Sequence, residues 1–419
     1  MVSSGIVCYT PGMEVKDMKN NRKNKICSIL MLLCLLTVSL QTGLQTLYAK
    51  TAAEKTIYVA FGDSIAAGYG LDGYSGENTA APADSYQALT ADFLHTQSRN
   101  YAVTGDTSDD CIQLLQTGKA DADLKNADII TLSIGSNDLL LPFIQILLDH
   151  IKENPDIPDL SGMDPAFIEE SIKNGFTLPQ IDISKLPEYY KQAVVLLQQL
   201  SDNDTLHAQA SAFSEKFQTI LSLLHEKAPQ AEIYVTNIYN PFAFLPKIGE
   251  LADRYIQEIN QAFTADASDY TLIDVYTPFR EKELTNVRID YNESLRFQPD
   301  PHPSVQGHAV IGDLLITALK DAHAPKAAAL RSVSAAGKKK LTIKAKLPAD
   351  ADGYQVLYAS SKNGTYQTLA KTDKQTYQIR AKKLKSQKTY YIKLRSYRII
   401  KGVAYYGKDS AVKKAVIRS

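Results

Sequence analysis

Between Lys55 and Ala322, short β-branched runs alternate with amphipathic stretches, and this constrains the fold more than any other feature of the 419-residue chain. Thr56–Phe61, Ile129–Ile134, Ile233–Asn237 and Thr271–Val275 have the length and the Ile, Val and Thr content of buried strands, with Asn100–Thr104 a weaker fifth. Ser85–His95, Thr205–Lys227, Ile248–Phe263 and Ser304–Leu319 repeat apolar residues at helical spacing between them. Such alternation predicts an α/β fold, a parallel sheet covered by helices on both faces. Ligands of these sheets bind beyond the carboxyl ends of the strands, so the chemistry is sought there.

Three strand ends carry a coherent set of groups. The first expected strand runs into Gly62, Asp63 and Ser64 before a new helix, which holds a serine hydroxyl at the sheet's carboxyl edge. The amide of Ser64 lies in the first turn of that helix, where the dipole favours developing negative charge. The second ends at Thr104, Gly105 and Asp106, and the third at Gly135, Ser136, Asn137 and Asp138. Alone, Ser64 reads as an N-cap, Gly105 as a turn residue and Asn137 as a helix cap. Together they supply what a tetrahedral intermediate needs: an attacking hydroxyl and donors aimed at an oxyanion.

A serine nucleophile requires a base. Pro299, Asp300, Pro301, His302 and Pro303 form a proline-stiffened stretch that reads as a loop presenting a histidine and a carboxylate together. His95, His150, His207, His225 and His323 fall in helical or linker contexts, and His308 in the following helix. None is paired at a metal-ligand spacing, so no metal and no other cofactor is expected. Cys111, alone in the chain after the N-terminal segment, lies in a helix-like run and reads as a buried structural thiol.

The ordered blocks Gly62–Ser64, Gly105, Gly135–Asp138 and Asp300–His302 resemble those of the SGNH, or GDSL-type, serine esterases and acylhydrolases, over roughly residues 55–322. The resemblance implies a flavodoxin-like three-layer α/β/α fold. It implies Ser64 as nucleophile, His302 as general base and Asp300 as its partner. The Ser64 amide, the Gly105 amide and the Asn137 side chain would form the oxyanion hole. One position departs from the family, which spaces its Asp three residues before the His; here Pro299 stands there and Asp300 is two before. Either the carboxylate still reaches His302, or a backbone carbonyl near Gln298 orients the ring instead.

A rival motif, Gly68, Gly70 and Gly73, matches the dinucleotide pattern G-x-G-x-x-G. That fingerprint begins at a strand end, where Gly62–Ser64 already stands, and no acidic strand end follows at the required distance. A nucleotide-dependent oxidoreductase is therefore not expected.

The substrate is approached through Leu139–Leu148, an apolar stretch next to Asn137. Leu139, Leu140 and Phe143 are candidates for an acyl pocket favouring lipid-like or medium-chain esters, though a buried core helix reads equally well. Residues 152–203 are broken by prolines and form an insertion that would cap the site or lie on the surface.

Charge divides the chain. Residues 326–419 carry 23 Lys and Arg against 4 Asp and Glu, whereas 50–325 carry 18 against 40, so the net charge of zero hides an acidic body and a basic tail. The expected catalytic domain covers 50–324 and the tail 325–419. Leu341–Leu347, Gly353–Ala359, Thr365–Leu369, Thr376–Ile379, Thr389–Tyr397 and Val403–Tyr406 alternate at period two, which predicts an all-β sandwich. The tail resembles bacterial fibronectin type III domains, with Ala345 where they usually have tryptophan. Its charge would attract an anionic cell-wall polymer or lipid surface rather than nucleic acid, act as a solvated spacer, or lean on the acidic body.

Residues 1–49 read as an export signal, basic at Lys19, Arg22, Lys23 and Lys25 and apolar over Ile26–Leu40. Met18 is a candidate natural start, leaving 1–17 upstream, and an uncleaved anchor is the alternative. The overall expectation is a secreted or envelope-associated ester hydrolase acting on a small-molecule or lipid ester. A carbohydrate or cell-wall O-deacetylase and a surface adhesin on a hydrolase scaffold remain as alternatives.

Overall fold

β1 (Tyr58–Gly62) alternates its side chains between two cores. Val59 and Phe61 join one apolar cluster, Tyr58 and Ala60 the other, and every residue of the strand is buried. In this computed structural model the residues described are 55–417, apart from 77–79, 154–180, 183–199, 202, 245–247, 265–267, 292–295, 336–339 and 381–383. The expected export signal and most of the 152–203 insertion lie outside them. Among the described residues no helix is long and apolar enough to cross a membrane.

The central sheet has the order β2-β1-β3-β5-β6, with β2 at Ser98–Asn100, β3 at Ile129–Ser133, β5 at Glu232–Thr236 and β6 at Thr271–Ile273. All four pairings are parallel. This is the flavodoxin-like order, in which the direction of winding reverses between β1 and β3 and opens a crevice at their carboxyl ends. The expected α/β fold is thus present, with one strand shifted: β2 is shorter and earlier than Asn100–Thr104. Tyr101 and Val103 still donate to the carbonyls of Ala60 and Gly62, at 2.8 and 3.0 Å.

Helices α1 (Ser64–Ala67), α2 (Tyr86–Phe93), α3 (Ser108–Gln116), α4 (Asp121–Leu124) and α5 (Ser136–Glu153) follow in chain order. α6 (Asp204–Lys227) buries Leu206, Ala210, Phe213, Phe217, Ile220, Leu221 and Leu224, the i, i+3, i+4 stripe that the sequence shows. Asn203 caps it by accepting the amides of Thr205 and Leu206. α7 (Ile248–Gln261) joins the same core, while α2 and α10 (Val305–His323) cover the opposite face. The short helices α8 (Tyr276–Glu281) and α9 (Glu283–Asn286) lead into a separate antiparallel ribbon.

That ribbon corrects the reading of 299–303 as a loop. β7 (Val287–Tyr291) pairs antiparallel with β8 (Arg296–Pro303), and the two-residue β4 (Ile181–Asp182) pairs with the start of β8. Among the described residues β4 pairs only with Arg296 and Phe297, so Pro299, Pro301 and Pro303 meet no described ladder partner on that side of β8, where a missing amide is tolerated.

From Ala329 onward the strands are antiparallel. β9 (Ala329–Ala335), β10 (Lys340–Lys346) and β13 (Thr376–Arg380) form one sheet. β11 (Gly353–Ala359), β12 (Gln367–Thr372), β14 (Thr389–Ile400), β15 (Val403–Asp409) and β16 (Lys413–Val416) form the other. Leu341, Ile343, Tyr354, Val356, Ile392 and Leu394 fill a core between them, and Ala345 is buried there. β9 and β16 were not among the expected strands, and β12 lies slightly later than Thr365–Leu369.

The basic tail does lean on the acidic body. Lys401 Nζ lies 2.7 and 2.8 Å from the carboxylate oxygens of Asp128, just before β3, and Asp128 also accepts the amide of Ile57 at 2.8 Å. Tyr405, 2% exposed, packs against Phe93 and His323 with ring centroids 5.9 and 4.8 Å away. Asp128 and Glu232, which pairs with His323 at 3.2 Å, mark the amino edge of the parallel sheet.

Candidate active site

Gly62 ends β1 where the chain passes against β3. A Cβ there would sit 2.2 Å from the carbonyl oxygen of Ser133, so only glycine lets the two strand ends approach this closely. Asp63 then caps α1, accepting the Ile65 amide at 2.9 Å, and its own amide donates to the Ser133 carbonyl at 3.1 Å. Asp63 is fully buried. Burial, helped by the nearby Asp138 charge, pushes its carboxyl up to about 7 against the pull of the Ile65 amide. Ser64, 7% exposed, follows on the first turn of α1.

The histidine arrives from the ribbon. His302 and Asp300 are two residues apart on β8, and a strand's period of two puts both side chains on one face. His302 Nδ1 lies 2.5 Å from Asp300 Oδ1, which also accepts the His302 amide at 3.0 Å. His302 Nε2 lies 2.8 Å from Ser64 Oγ. The spacing that departs from the family is therefore geometrically sufficient, and the carboxylate rather than a carbonyl near Gln298 stands at Nδ1. All three side chains are buried.

The second oxygen of Asp300 is held as well. Arg288 stands directly across the ribbon from Asp300, and its Nη1 lies 2.8 Å from Asp300 Oδ2. Burial alone would raise the Asp300 carboxyl. The hydrogen bond from His302 leads the effects that outweigh it, with the charges of His302 and Arg288 behind, and the carboxyl ends below its ordinary range. Arg288 reaches this place by crossing over Gly70, where a Cβ would meet Nη1 at 1.6 Å. Gly68 caps the end of α1 with φ of +76°. Two of the three glycines in the dinucleotide-like pattern thus have structural reasons.

Asn137, 7% exposed at the start of α5, donates from Nδ2 to the Asp106 carbonyl at 2.9 Å, which brings it to the turn containing Gly105. The amide group carries a second hydrogen. Asp138 anchors this end of α5 by accepting both the amide and the hydroxyl of Ser108, at the head of α3. Tyr69 packs its ring 4.7 Å from that of His302, and Tyr74 meets Tyr69 edge-on at 5.3 Å. The Tyr74 hydroxyl lies 2.6 Å from Thr104 Oγ1, beside Gly105.

This arrangement can deprotonate a serine hydroxyl through a histidine whose far nitrogen is fixed by a carboxylate. A family model for the GDSL-like lipase/acylhydrolase family matches residues 60–310. The chain belongs to that family. The GDSL-like chain is 24% identical over 314 residues to the uncharacterized protein YpmR of Bacillus subtilis (strain 168), covering 72% of this chain and 97% of that protein. Among solved structures it resembles phospholipase A1 from Streptomyces albidoflavus NA297 at 16% identity, covering 64% of this chain and 99% of that one, with a TM-score of 0.43. It also resembles the lipase Lip_vut3 from a goat rumen metagenome at 19% identity, covering 63% and 97%, with a TM-score of 0.39.

The acyl face expected of this GDSL-like chain is divided. Leu139 is buried inside the main core, and Phe143 packs on the same core from a half-buried position. Leu140 is half-buried and belongs to neither core cluster. Cys111 is 2% exposed, and burial pushes its thiol up, as befits a structural position. Sequence reasoning missed Arg288, Tyr69 and Tyr74. Reading 287–303 as a hairpin would have set Arg288 opposite Asp300; the tyrosines gave no periodic signal.

Proposed function

We propose that this chain is a serine hydrolase of carboxylic esters, with Ser64 as nucleophile, His302 as general base and Asp300 as the group that orients it. The observation that carries the reading is the unbroken contact from Ser64 Oγ to His302 Nε2 at 2.8 Å and from Nδ1 to Asp300 at 2.5 Å. His302 takes the Ser64 proton as Oγ attacks the ester carbonyl, then returns it to the leaving alcohol. The carboxylate of Asp300 keeps Nδ1 protonated and stabilises the imidazolium formed in between. Charge on the carbonyl oxygen is received by the amides of Ser64 and Gly105 and by the second amide hydrogen of Asn137. Water then attacks the acyl-enzyme with the same base, releasing the acid.

For the substrate, we assign the acyl contact to Leu140 and to the aromatic wall of Tyr69 and Tyr74 rather than to Leu139 or Phe143, which serve the core. The chain acts outside the cytoplasm, exported by residues 1–49, with 50–324 as the hydrolase and 325–419 as a fibronectin type III-like module. A panel of aryl esters from acetate to decanoate, lysophospholipid and an acetylated glycan tests the assignment, with Ser64→Ala as control. Turnover of medium-chain esters and Ser64-dependent labelling by a fluorophosphonate are expected. Strict acetate preference with activity on the acetylated glycan would establish the deacetylase instead. Absence of both turnover and labelling would leave a non-catalytic scaffold.

A further inference from the structure

The outer face of the five-stranded sheet in the tail carries a pattern that the hydrolase chemistry does not use. Along β14, Ile392, Leu394 and Ser396 point into the module and are fully buried, so Lys393, Arg395 and Tyr397 point away from it. Tyr397 does not stand up from the sheet. It pairs with Gly353, and a Cβ on that glycine would lie 2.6 Å from the Tyr397 hydroxyl and 2.8 Å from Cζ. The tip of the ring therefore reaches over Gly353 on the neighbouring strand. Tyr406, 40% exposed on β15, stands 6.4 Å from it, centroid to centroid.

Cations surround this platform. Lys371 on β12 places its ammonium 5.8 Å from the Tyr397 centroid, and Lys393 sits 4.0 Å over the Tyr366 ring. Asp409 neutralises part of the face by holding Lys393 at 2.6 Å and Arg395 at 2.7 Å. No carboxylate among the described residues lies within ion-pairing distance of Lys371. The tail as a whole carries a surplus of 19 positive charges over 326–419, which favours approach of a polyanion.

We infer that this face binds an anionic polysaccharide, its sugar rings packing against the Tyr397–Tyr406 pair, chiefly the exposed Tyr406, and its acid groups meeting Lys371. Charge alone would accept any polyanion. An inclined pair of tyrosines with an ammonium over one ring asks for a ligand with an apolar face and an adjacent negative group, repeated along a chain. The amphipathic ring of tyrosine supplies such contact at small entropic cost. The inference is independent of the ester-hydrolase reading.

Affinity electrophoresis of the whole protein tests it, with polygalacturonate, neutral dextran and polyphosphate in the gel at low and high salt. Retardation by polygalacturonate is expected to exceed that by polyphosphate, to weaken with salt, and to be slight with dextran. Tyr397→Ala should weaken polygalacturonate binding about tenfold and spare polyphosphate binding, while Tyr397→Phe retains both. Lys371→Gln should weaken both, and ester hydrolysis should be unchanged throughout. Equal retardation by the two polyanions with no effect of Tyr397→Ala would overturn the inference in favour of charge attraction alone. No retardation by polygalacturonate would overturn it outright, as would preferential binding to vesicles of anionic phospholipid.

Discussion

Replacing Arg288 by methionine keeps most of the side-chain volume and removes one hydrogen bond and one charge from Asp300 Oδ2. The bond is short, 2.8 Å, and joins a carboxylate 7% exposed to an arginine side chain 24% exposed. Charged hydrogen bonds of this kind contribute about 1.5–3 kcal/mol net. If all of that serves to hold Asp300 against His302, kcat/KM falls roughly 10- to 150-fold, and the loss is in kcat. Asp300→Asn, which removes the charge and leaves a single acceptor oxygen for Arg288 and Nδ1–H together, should cost more, about 10³- to 10⁴-fold. The pH profile separates positioning from bulk structure. Arg288 is among the groups that hold the Asp300 carboxyl low, so its loss raises that pKa. The active form has Asp300 ionised and no extra proton on the His302–Asp300 pair, and removing the Arg288 charge beside that pair makes proton uptake by it easier. In Arg288→Met the acid limb of kcat/KM therefore moves to higher pH. Aryl-ester kinetics from pH 3 to 9, with circular dichroism at each pH, make the measurement. A folded Arg288→Met enzyme within twofold of wild type and with the same acid limb would refute the reasoning.

Two further predictions concern stability. Asp63 is neutral-favouring in the folded state, with its pKa raised from 3.8 to about 7, so folding is penalised as pH rises through that window. Asp63→Asn keeps a capping oxygen for the Ile65 amide and removes the penalty; denaturant titration at pH 8 should show a gain of up to about 4 kcal/mol that vanishes by pH 4. Tyr405→Ala empties the contact with Phe93 and His323 and should cost about 3 kcal/mol, splitting one calorimetric transition into two while ester turnover stays at the wild-type rate. A single unshifted transition would show that the tail is held elsewhere.

Periodicity made most of this legible. The strands β1, β3, β5 and β6 and the long helix α6 are strongly patterned, and buried parallel strands advertise themselves as continuous apolar runs. Ser64, Gly105 and Asn137 were singled out because each follows a strand end, and His302 because prolines hold it beside Asp300. The stretch 299–303 was misread because prolines weigh against a strand, yet here they lie past the two residues of β8 that pair with the described part of β4. The same misreading hid Arg288, whose role exists only across a ladder. It also left the Asp300 spacing unexplained, since two residues bring side chains together on a strand but not on a helix. The split of Leu139 from Leu140 was out of reach for another reason. Both belong to one apolar run, and only the packing of α5 decides which of them faces the core.

The two edges of the parallel sheet carry different tasks. At the carboxyl edge, the reversal of winding between β1 and β3 opens the crevice in which Ser64 and Asn137 stand. At the amino edge, Asp128 and Glu232 collect the contacts of the tail. An acidic residue before a strand is harmless to a site lying a strand's length away, so the body can use its negative charge to hold a basic module without placing that charge beside the developing oxyanion. Tyr397 lies near the end of β14, which leads at Ile400 into the turn that carries Lys401. A polymer seated on Tyr397 would therefore lie near the junction rather than over the crevice. Binding there would fix where the enzyme works without competing for the substrate, and loss of the tail contact should leave turnover of small soluble esters intact.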